Sequence, residues 1–289
     1  MKPAPFDYVR PASVAEACRI LAEAGGGATV IAGGQTLVPL LNLRMSQPFV
    51  VVDINGIDGL RGISRVEGGT RIGAGTRQAD ALADDTLARH LPVVVAALGH
   101  VGHYQTRTRG TVGGSIALGE PAAEMPAAAV ALGALIEIAS VRGTRQVPAR
   151  EFYVGPYMTV LEPDELVTGI LYPDWPEGHF MLFREVARRP GDFALVGLVG
   201  ALAVERGAVS RAGIAWFGMG PTPIAANQAE DALVGTALAG IDVERVARLA
   251  VADAAPFDDH HASAEYRRTV GLRIFARTLR ETLDIRSAA

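Results

Sequence analysis

The chain has 289 residues, of which 49% are hydrophobic and 20% charged, and its 27 basic and 31 acidic residues leave a net charge of -4. This composition excludes a disordered or collagen-like chain and gives no electrostatic reason to expect binding to nucleic acid or to an anionic membrane. Lys2 is the only lysine and Cys18 the only cysteine. These counts exclude a phosphate-loop lysine or a Schiff-base lysine within the fold, as well as an iron–sulfur cluster carried by this chain alone.

The start of the chain predicts a helix, a strand, a glycine loop and a second helix. Ser13-Val14-Ala15-Glu16 has the spacing of a capping box, apolar residues then recur at helical intervals, and the glycines at 25–27 can end the helix. Residues 29–32 indicate a strand and residues 37–41 a helix, with Gly33-Gly34-Gln35-Thr36 as the loop between them.

The middle of the chain predicts more strands, two short helices and a second glycine loop. The predicted strands are residues 49–54, 62–66, 71–74, 134–140 and 166–171. Proline in the first turn predicts helices at 92–98 and 126–132. Between them lies Gly110-Thr111-Val112-Gly113-Gly114-Ser115, in a segment without clear periodicity. Pro173 and Pro176 indicate a boundary.

The last third of the chain predicts an antiparallel sheet backed by helices. The predicted elements are strands at 179–186, 195–205 and 211–217, a hairpin turn at 206–207, and helices at 242–254 and 264–283. Strands followed by helices are typical of an α+β unit, distinct from the more mixed first 175 residues.

The two glycine loops share a pattern, in which an apolar residue and paired glycines precede a small or amide side chain. A diphosphate requires backbone N–H groups at close range, and glycine permits both the approach and the positive φ angles that turn successive N–H groups inward. Thr36 and Ser115 add hydroxyl donors. Paired glycines usually mark ordinary turns, so each loop alone is a weak signal. The absence of G-x-G-x-x-G disfavours an ordinary Rossmann site.

Other candidate residues give weaker evidence of a functional site. The six histidines form no metal-ligand motif, so no metal site is expected, and His100 and His103 equally suit hydrogen bonding at helix ends. Glu120 and Glu124 could form an acid–base pair, although a solvated face is the favoured interpretation. No serine-hydrolase motif occurs, and neither a signal peptide nor a membrane span is indicated, which favours a cytoplasmic protein. The residues by themselves indicate a nucleotide-diphosphate binder of unknown chemistry.

Several motifs in the same order give the sequence a family resemblance. They are Phe6-Asp7-Tyr8-Val9-Arg10-Pro11, Ala32-Gly33-Gly34-Gln35-Thr36, Val52-Asp53-Ile54, Arg109-Gly110-Thr111-Val112-Gly113-Gly114-Ser115, Glu120-Pro121 through Pro126, Gly191-Asp192-Phe193-Ala194 and Ala264-Glu265-Tyr266-Arg267. Together they resemble the FAD-binding medium subunit of molybdenum hydroxylases, the group that contains carbon monoxide dehydrogenase and bacterial xanthine, nicotine and quinoline dehydrogenases. The resemblance covers essentially the whole chain.

The resemblance implies an α+β fold of the vanillyl-alcohol-oxidase (PCMH) type. Two FAD-binding subdomains, at residues 1–57 and 58–176, would precede a small C-terminal α+β domain at residues 177–289 with an antiparallel sheet and helices. The resemblance implies a subunit whose task is to bind, orient and tune the flavin, so no catalytic residue is expected here.

The resemblance also implies a set of contacts with non-covalently bound FAD. Residues 32–36 and 111–115 would surround the diphosphate, and Leu37 would lie near the flavin ring. Glu124, where the family usually has aspartate, would lie near the ribose or adenine. Phe193 would lie beside the isoalloxazine, with a core phenylalanine in a strand as an equal alternative. Arg184 replaces a lysine found in many relatives. The implied FAD contacts are Ala32, Gly33, Gly34, Gln35, Thr36, Leu37, Thr111, Val112, Gly113, Gly114, Ser115, Glu124 and Phe193.

The implied function is electron transfer within a larger oxidoreductase. A large subunit with molybdopterin would oxidise the substrate, a small subunit would carry two [2Fe-2S] clusters, and this chain would pass electrons from FAD to an external acceptor, within a dimer of heterotrimers. Two alternatives remain open: a self-contained reductase of the same fold, similar to UDP-N-acetylenolpyruvoylglucosamine reductase, and a nucleotide-binding protein without redox chemistry.

Overall fold

A computed structural model describes residues 2–287 of the chain. These residues form four sheets, of three, five, four and two strands, with helices packed between and around them. No helix within residues 2–287 is both long enough and apolar enough to cross a membrane.

The first sheet is parallel and carries the first glycine loop at its carboxyl edge. Its strands are β1 (Asp7–Val9), β2 (Ala28–Ile31) and β3 (Val50–Asp53), in the order β1-β3-β2, and its helices are α1 (Val14–Glu23) and α2 (Leu37–Asn42). Ser13 caps α1 by accepting a hydrogen bond from the N–H of Glu16, as the capping-box spacing predicts. Cys18 is buried on the apolar face of α1. Two 3₁₀ turns, Ile54–Gly56 and Asp58–Leu60, lead to the second sheet.

The second sheet is antiparallel and holds the second glycine loop against its face. Its strands, in the order β4-β5-β10-β6-β7, are β4 (Ile63–Val66), β5 (Gly69–Gly73), β6 (Leu135–Ser140), β7 (Gly143–Pro148) and β10 (Leu166–Pro173). The ribbon of β8 (Tyr153–Gly155) and β9 (Met158–Thr159) lies between β7 and β10 in the chain. Glu67 and Gly68 form the hairpin turn between β4 and β5, and Gly69 already pairs with Val66 as the first residue of β5.

Seven helices accompany the second sheet. They are α3 (Gln78–Leu82), α4 (Asp85–His90), α5 (Pro92–His100), α6 (Tyr104–Arg109), α7 (Val112–Leu118), α8 (Glu124–Leu132) and α9 (Ala149–Phe152). All nine residues of α8 are buried, because the helix lies between this sheet and the next one. The helix predicted from Pro126 therefore begins two residues earlier, at Glu124.

The last sheet is antiparallel, as predicted. It contains β11 (Phe180–Val186), β12 (Val196–Glu205), β13 (Ala208–Phe217) and β14 (Ile224–Ala225), and it packs on α10 (Asn227–Leu233), α11 (Val243–Ala252) and α12 (Ala264–Ser287). A further 3₁₀ turn spans Leu238–Gly240. Strand β12 buries both faces: Leu198 and Leu202 pack toward the helices, whereas Val199 and Ala201 join the core around α8. This double burial explains the nearly continuous apolar run of β12.

Candidate functional site

The first glycine loop, Ala32–Thr36, leaves the carboxyl end of β2 and enters α2. Gly34 has a φ of 70°, which is in the left-handed region that favours glycine. A Cβ atom on Gly33 would lie 2.5 Å from the carbonyl oxygen of Arg109 and 2.7 Å from the Cα atom of Gly110. The first loop therefore touches the segment that leads into the second loop, and no side chain fits at residue 33. The fold brings the two distant loops together.

Most backbone N–H groups of the first loop have no hydrogen-bond acceptor among the described residues. Within residues 2–287, the N–H groups of Gly33, Gly34, Gln35 and Thr36 donate no hydrogen bond, and the side-chain amide of Gln35 donates to the carbonyl of Gly33 at 3.2 Å. Thr36 precedes the first turn of α2 without capping it through its side chain. Leu37, the first residue of α2, is half-buried. The loop therefore offers several adjacent donors to an anion.

The second glycine loop uses its N–H groups internally. The N–H of Val112 donates to the carbonyl of Thr76 at 3.0 Å, and the N–H of Gly113 to the carbonyl of Ala74 at 2.9 Å. The Oγ1 atom of Thr111 caps α7 by accepting the N–H of Gly114 at 3.1 Å, and the N–H of Ser115 donates to the carbonyl of Thr111. This differs from the expectation that both loops offer free main-chain amides, because these residues form the first turn of a helix packed on the second sheet.

Gly113 is required for that packing. A Cβ atom on Gly113 would lie 2.4 Å from the Cβ atom of Ala74 and 2.6 Å from its Cα atom. Gly114 is exposed, and a Cβ atom there would meet only the Oγ1 atom of Thr111, at 2.7 Å. The exposed backbone of Gly114 and the half-buried Ser115 are therefore the parts of the second loop that a ligand can reach.

Two side chains that the sequence analysis did not single out connect the loops. The Nδ2 atom of Asn55 donates to the carbonyl of Ala32 at 2.8 Å, and the Nη2 atom of Arg77 donates to the Oδ1 atom of Asn55 at 2.7 Å. The Nη1 atom of Arg77 donates to the carbonyl of Arg109. Asn55 follows β3 directly, at the same carboxyl edge of the parallel sheet as the first loop. That position was the available signal, because ligands of such sheets bind beyond the carboxyl ends of the strands.

Several arginine side chains lie near the first loop. Burial lowers the pKa of Arg77, and the nearby charges of Arg61 and Arg109 lower it further. Asp53 lies behind the loop, accepts hydrogen bonds from Tyr8 and Asn55, and pairs with Arg10 at 3.4 Å. Burial opposes the ionisation of Asp53, but these hydrogen bonds and the Arg10 charge outweigh it and hold its pKa below the usual range. Asp53 is therefore ionised and neutralises only part of the surrounding positive charge.

Glu120 and Glu124 are buried, so the expected solvated face is wrong. Glu120 accepts hydrogen bonds from the hydroxyl of Tyr157 and, at 3.1 Å, from the N–H of Ala122. Glu124 is the first residue of α8, where burial raises its pKa to about 8 and the nearby carboxylate of Glu185 adds to the rise. At neutral pH, Glu124 carries a proton and can donate a hydrogen bond. Glu120 is therefore held by protein hydrogen-bond donors, whereas Glu124 is a protonated carboxyl group at the start of α8.

A cleft of about 570 Å³ separates α5 and α6 from β11 and the loop that follows β11. Its lining includes His100, His103, Arg107 and Glu185. Burial raises the pKa of Glu185 to about 7, and its Oε2 atom has no hydrogen-bond partner among the described residues. The Nδ1 atom of His100 lies 3.1 Å from the carbonyl of Ala96, so His100 has the helix-end role that the sequence allowed. The described residues contain no group of three or more side chains able to hold a metal ion.

Phe193 lies on the loop between β11 and β12 and is 62% exposed, which excludes the alternative of a core phenylalanine in a strand. On the same loop, Gly191 approaches His103 so closely that a Cβ atom would lie 2.4 Å from the imidazole ring. Arg184, by contrast, pairs with Glu281 of α12. The replacement for the lysine of many relatives therefore contacts the C-terminal helix.

Comparisons with known proteins agree over almost the full length. A family model described as the FAD binding domain in molybdopterin dehydrogenase matches residues 4–175, and the CO dehydrogenase flavoprotein C-terminal domain matches residues 181–282. The 6-hydroxypseudooxynicotine dehydrogenase complex subunit alpha of Paenarthrobacter nicotinovorans is 40% identical over 98% of this chain and 96% of its own. The carbon monoxide dehydrogenase medium chain of Afipia carboxidovorans is 37% identical over 92% and 93%.

The folded chain also matches a solved structure. A chain of the carbon monoxide dehydrogenase from Hydrogenophaga pseudoflava has a TM-score of 0.94 and 34% identity, with 98% of both chains covered. Sequence and structure thus agree on the same group of relatives for both parts of the chain.

Proposed function

The chain belongs to the family of FAD-binding medium subunits of molybdenum hydroxylases, and on that premise we propose which of its residues hold FAD and how it works with its partners. It is an oxidoreductase subunit that carries FAD, accepts electrons from [2Fe-2S] clusters on a partner subunit and passes them to an external acceptor. The family assignment disfavours the self-contained reductase and the non-redox nucleotide binder.

The single observation that carries the proposed FAD site is the contact between the two glycine loops, with free N–H groups on one of them. The N–H groups of residues 33–36 suit the diphosphate, because adjacent amide dipoles stabilise an anion without a lysine. The positive charges of Arg61, Arg77 and Arg109 favour the same anion. The residues present therefore fit a dinucleotide whose diphosphate lies at the first loop.

The remaining proposed FAD contacts follow from the family membership of the chain. The second loop would contribute Thr111–Ser115, chiefly through the exposed Gly114 and the hydroxyl of Ser115. Leu37 and Phe193 would provide apolar contact with the ring system, consistent with the large exposed fraction of Phe193. The protonated Glu124 would donate a hydrogen bond to a ribose hydroxyl or to adenine.

Bound FAD supplies the redox chemistry, since a flavin accepts single electrons and releases one or two. The task of this chain is to bind and orient the cofactor. Its single cysteine cannot ligate a [2Fe-2S] cluster, so the one-electron donor has to lie on another chain. We therefore propose a large subunit with molybdopterin and a small subunit with the clusters as partners, arranged as a dimer of heterotrimers in the cytoplasm.

The division of the chain is part of the same proposal. A first subdomain at residues 1–57 would contain the parallel sheet, a second at 58–176 the five-stranded sheet, and a C-terminal domain at 177–289 the last sheet. The gap between the two family matches, after residue 175, supports the second boundary.

Purification of the chain with its genomic neighbours tests the proposal. We expect flavin absorbance near roughly 450 nm in the fraction that contains this chain, together with a molybdenum-containing large chain and an iron–sulfur small chain. The mass of the complex reports the stoichiometry. Absence of flavin from the folded, purified chain and from the complex would contradict the proposed site, whereas a flavin-loaded chain without either partner would contradict only the proposed assembly.

A further inference from the structure

Asn55 and Arg77 connect the first glycine loop to the segment around the second loop, with which Arg77 also forms an isolated β-bridge, to Thr111. Asn55 lies in the 3₁₀ turn after β3, and Arg77 is the residue before α3. Asn55 donates to the carbonyl of Ala32 in the first loop, and Arg77 donates to the carbonyl of Arg109, just before the second loop. The bond between Arg77 and the Oδ1 atom of Asn55 makes the two contacts one continuous chain. We call this pair the Asn55–Arg77 clamp.

The clamp is held from behind. The Oδ1 atom of Asp53 accepts both the backbone N–H of Asn55, at 2.9 Å, and its Nδ2 atom, at 2.6 Å. Asp53 is fixed in turn by the hydroxyl of Tyr8 and by Arg10. These bonds set the rotation of the Asn55 amide, so that its nitrogen faces the first loop and its oxygen faces Arg77.

Arg77 suits its position through the shape of its side chain. A guanidinium group holds its two terminal nitrogens in a fixed fork, so one nitrogen reaches the Arg109 carbonyl while the other reaches Asn55. A lysine in the same place would keep the charge but could not reproduce this planar geometry. The two requirements, charge and fork, can therefore be separated by substitution.

The N–H groups of the first loop that lack protein acceptors explain why the Asn55–Arg77 clamp is needed. The first loop leaves several N–H groups without protein partners, and N–H groups of this kind stabilise a particular loop conformation poorly. Within residues 2–287, the close approach of Gly33 to Arg109 and Gly110 and the bonds of the clamp connect the loop to the segment before the second loop.

The structure assigns to Asn55 and Arg77 the role of positioning residues for FAD: they fix the distance between the two glycine loops before the cofactor binds. This inference rests on the proposed function for its ligand, although the geometry of the clamp itself does not. Pre-organised loops bind more tightly because less conformational freedom is lost on binding.

FAD titration of the full-length apoprotein, followed by quenching of flavin fluorescence, tests this role. We expect Asn55→Ala and Arg77→Ala each to raise the Kd for FAD by about tenfold or more, because each breaks hydrogen bonds that involve a charged group or a half-buried amide. The Kd of the double variant for FAD should be only slightly higher than that of the single variant with the higher Kd, since the two side chains act as one unit. Arg77→Lys should remain weakened. Arg65→Ala, which breaks the ion pair between Arg65 and Asp174, is the matched control and should bind FAD normally.

A second measurement does not depend on FAD. Spin labels at Gln35→Cys and Gln105→Cys, in a Cys18→Ala background, report the separation of the first loop from α6 in the apoprotein. We expect a narrow distance distribution in the parent and a broad one after Asn55→Ala or Arg77→Ala. An unchanged distribution in these variants, wild-type affinity in Arg77→Lys, or unaltered FAD affinity in all of them would each overturn the inference. If the unlabelled wild-type protein binds no FAD while the labelled parent shows a narrow distribution, the proposed function is contradicted and the inference about the clamp stands.

Discussion

The two glycine loops have nearly the same sequence pattern but different physical roles. The first leaves four successive N–H groups, at residues 33–36, without partners in the described part of the chain. The second donates the N–H groups of residues 112–115 to protein acceptors and buries Val112 and Gly113 completely. Paired glycines therefore indicate close approach of the backbone, but the approaching group can be a ligand, another loop or a sheet.

The difference follows from where each loop lies. The first loop ends a strand of a parallel sheet, where the next helix begins only after several unpaired residues. The second loop is the first turn of α7, and its Gly113 packs on Ala74, so this glycine serves the contact between the helix and the sheet. The comparison teaches that the N–H groups without protein acceptors lie at residues 33–36, whereas the N–H groups of residues 112–115 support the start of α7.

Substitution of one glycine in each loop should give the largest effects and separates the two roles. Gly33→Ala forces the loops apart where the half-buried Gly33 meets the backbone of Arg109 and Gly110, so we expect FAD affinity to fall by at least about 100-fold, equivalent to about 2.7 kcal/mol, with a smaller loss of stability than in Gly113→Ala. Gly113→Ala inserts a methyl group into the helix–sheet contact and should lower the free energy of unfolding by about 1–3 kcal/mol. FAD titration and denaturant unfolding of the apoproteins measure the two effects.

Gly240→Ala provides the control for both variants. A Cβ atom on Gly240 would have no neighbour closer than 4.0 Å, so both FAD affinity and stability should stay close to those of the parent. If Gly33→Ala unfolds the chain as strongly as Gly113→Ala, or if Gly113→Ala is stable but loses FAD, the division of roles between the loops is wrong.

Much of the fold and part of the site follow from the sequence. The helix after Ser13, the strand–loop–helix around Gly33 and the antiparallel C-terminal sheet are predicted from capping and periodicity, within a few residues of their ends. Helix α7 is not, because its seven residues include two glycines and no polar face. Its helical form depends on the Thr111 cap and on tertiary packing, neither of which leaves a periodic pattern.

The functional site is likewise only partly predictable from the sequence, because some of its features depend on tertiary contacts. Glycine loops are visible in the sequence because their residue types are unusual, and their ligand class follows from general chemistry. Asn55 and Arg77 have no motif, and their importance depends on a contact between residues that are 22 positions apart. The burial of Glu124 could not be read from its sequence either, since a carboxylate at the start of a helix is ordinarily exposed.

The pH dependence of stability distinguishes Glu124, which follows the second loop, from Asp53, which lies behind the first loop. Glu124 has a pKa of about 8 when folded, against about 4.3 in an unfolded chain. Between these values the folded state binds a proton that the unfolded state releases, so the stability of the apoprotein falls as pH rises through this window. Glu124→Gln should remove this loss and make the apoprotein more stable at pH 8, by about 1 kcal/mol or more. Equal pH slopes in the two proteins would contradict the raised pKa.

Asp53, behind the first loop, should act in the opposite direction and more weakly. Its folded pKa is lowered, so its contribution is present above the unfolded value of about 3.9 and is lost as pH falls through the folded value. Asp53→Asn should therefore flatten the acid limb of the stability profile and leave the slope between pH 5 and 8 unchanged, as thermal unfolding over roughly pH 2–6 can show. A steeper acid limb in the variant would show that Asp53 is not held ionised by Tyr8, Asn55 and Arg10.

Two threonines make the finest test, because each belongs to one of the loops and only one of them caps a helix. The Oγ1 atom of Thr111 accepts the N–H of Gly114, so Thr111→Ala should lower the free energy of unfolding by about 1 kcal/mol, and Thr111→Ser should restore it. Thr36 makes no side-chain cap bond, so Thr36→Ala should leave stability within about 0.5 kcal/mol of the parent while weakening FAD binding several-fold through loss of a hydroxyl donor. The prediction is contradicted if Thr36→Ala destabilises the apoprotein and Thr111→Ala weakens only FAD binding, because Thr36 would then support the fold and Thr111 the ligand. In that case the free N–H groups of the first loop are not what binds the diphosphate, and the ligand has to be held mainly by the second loop.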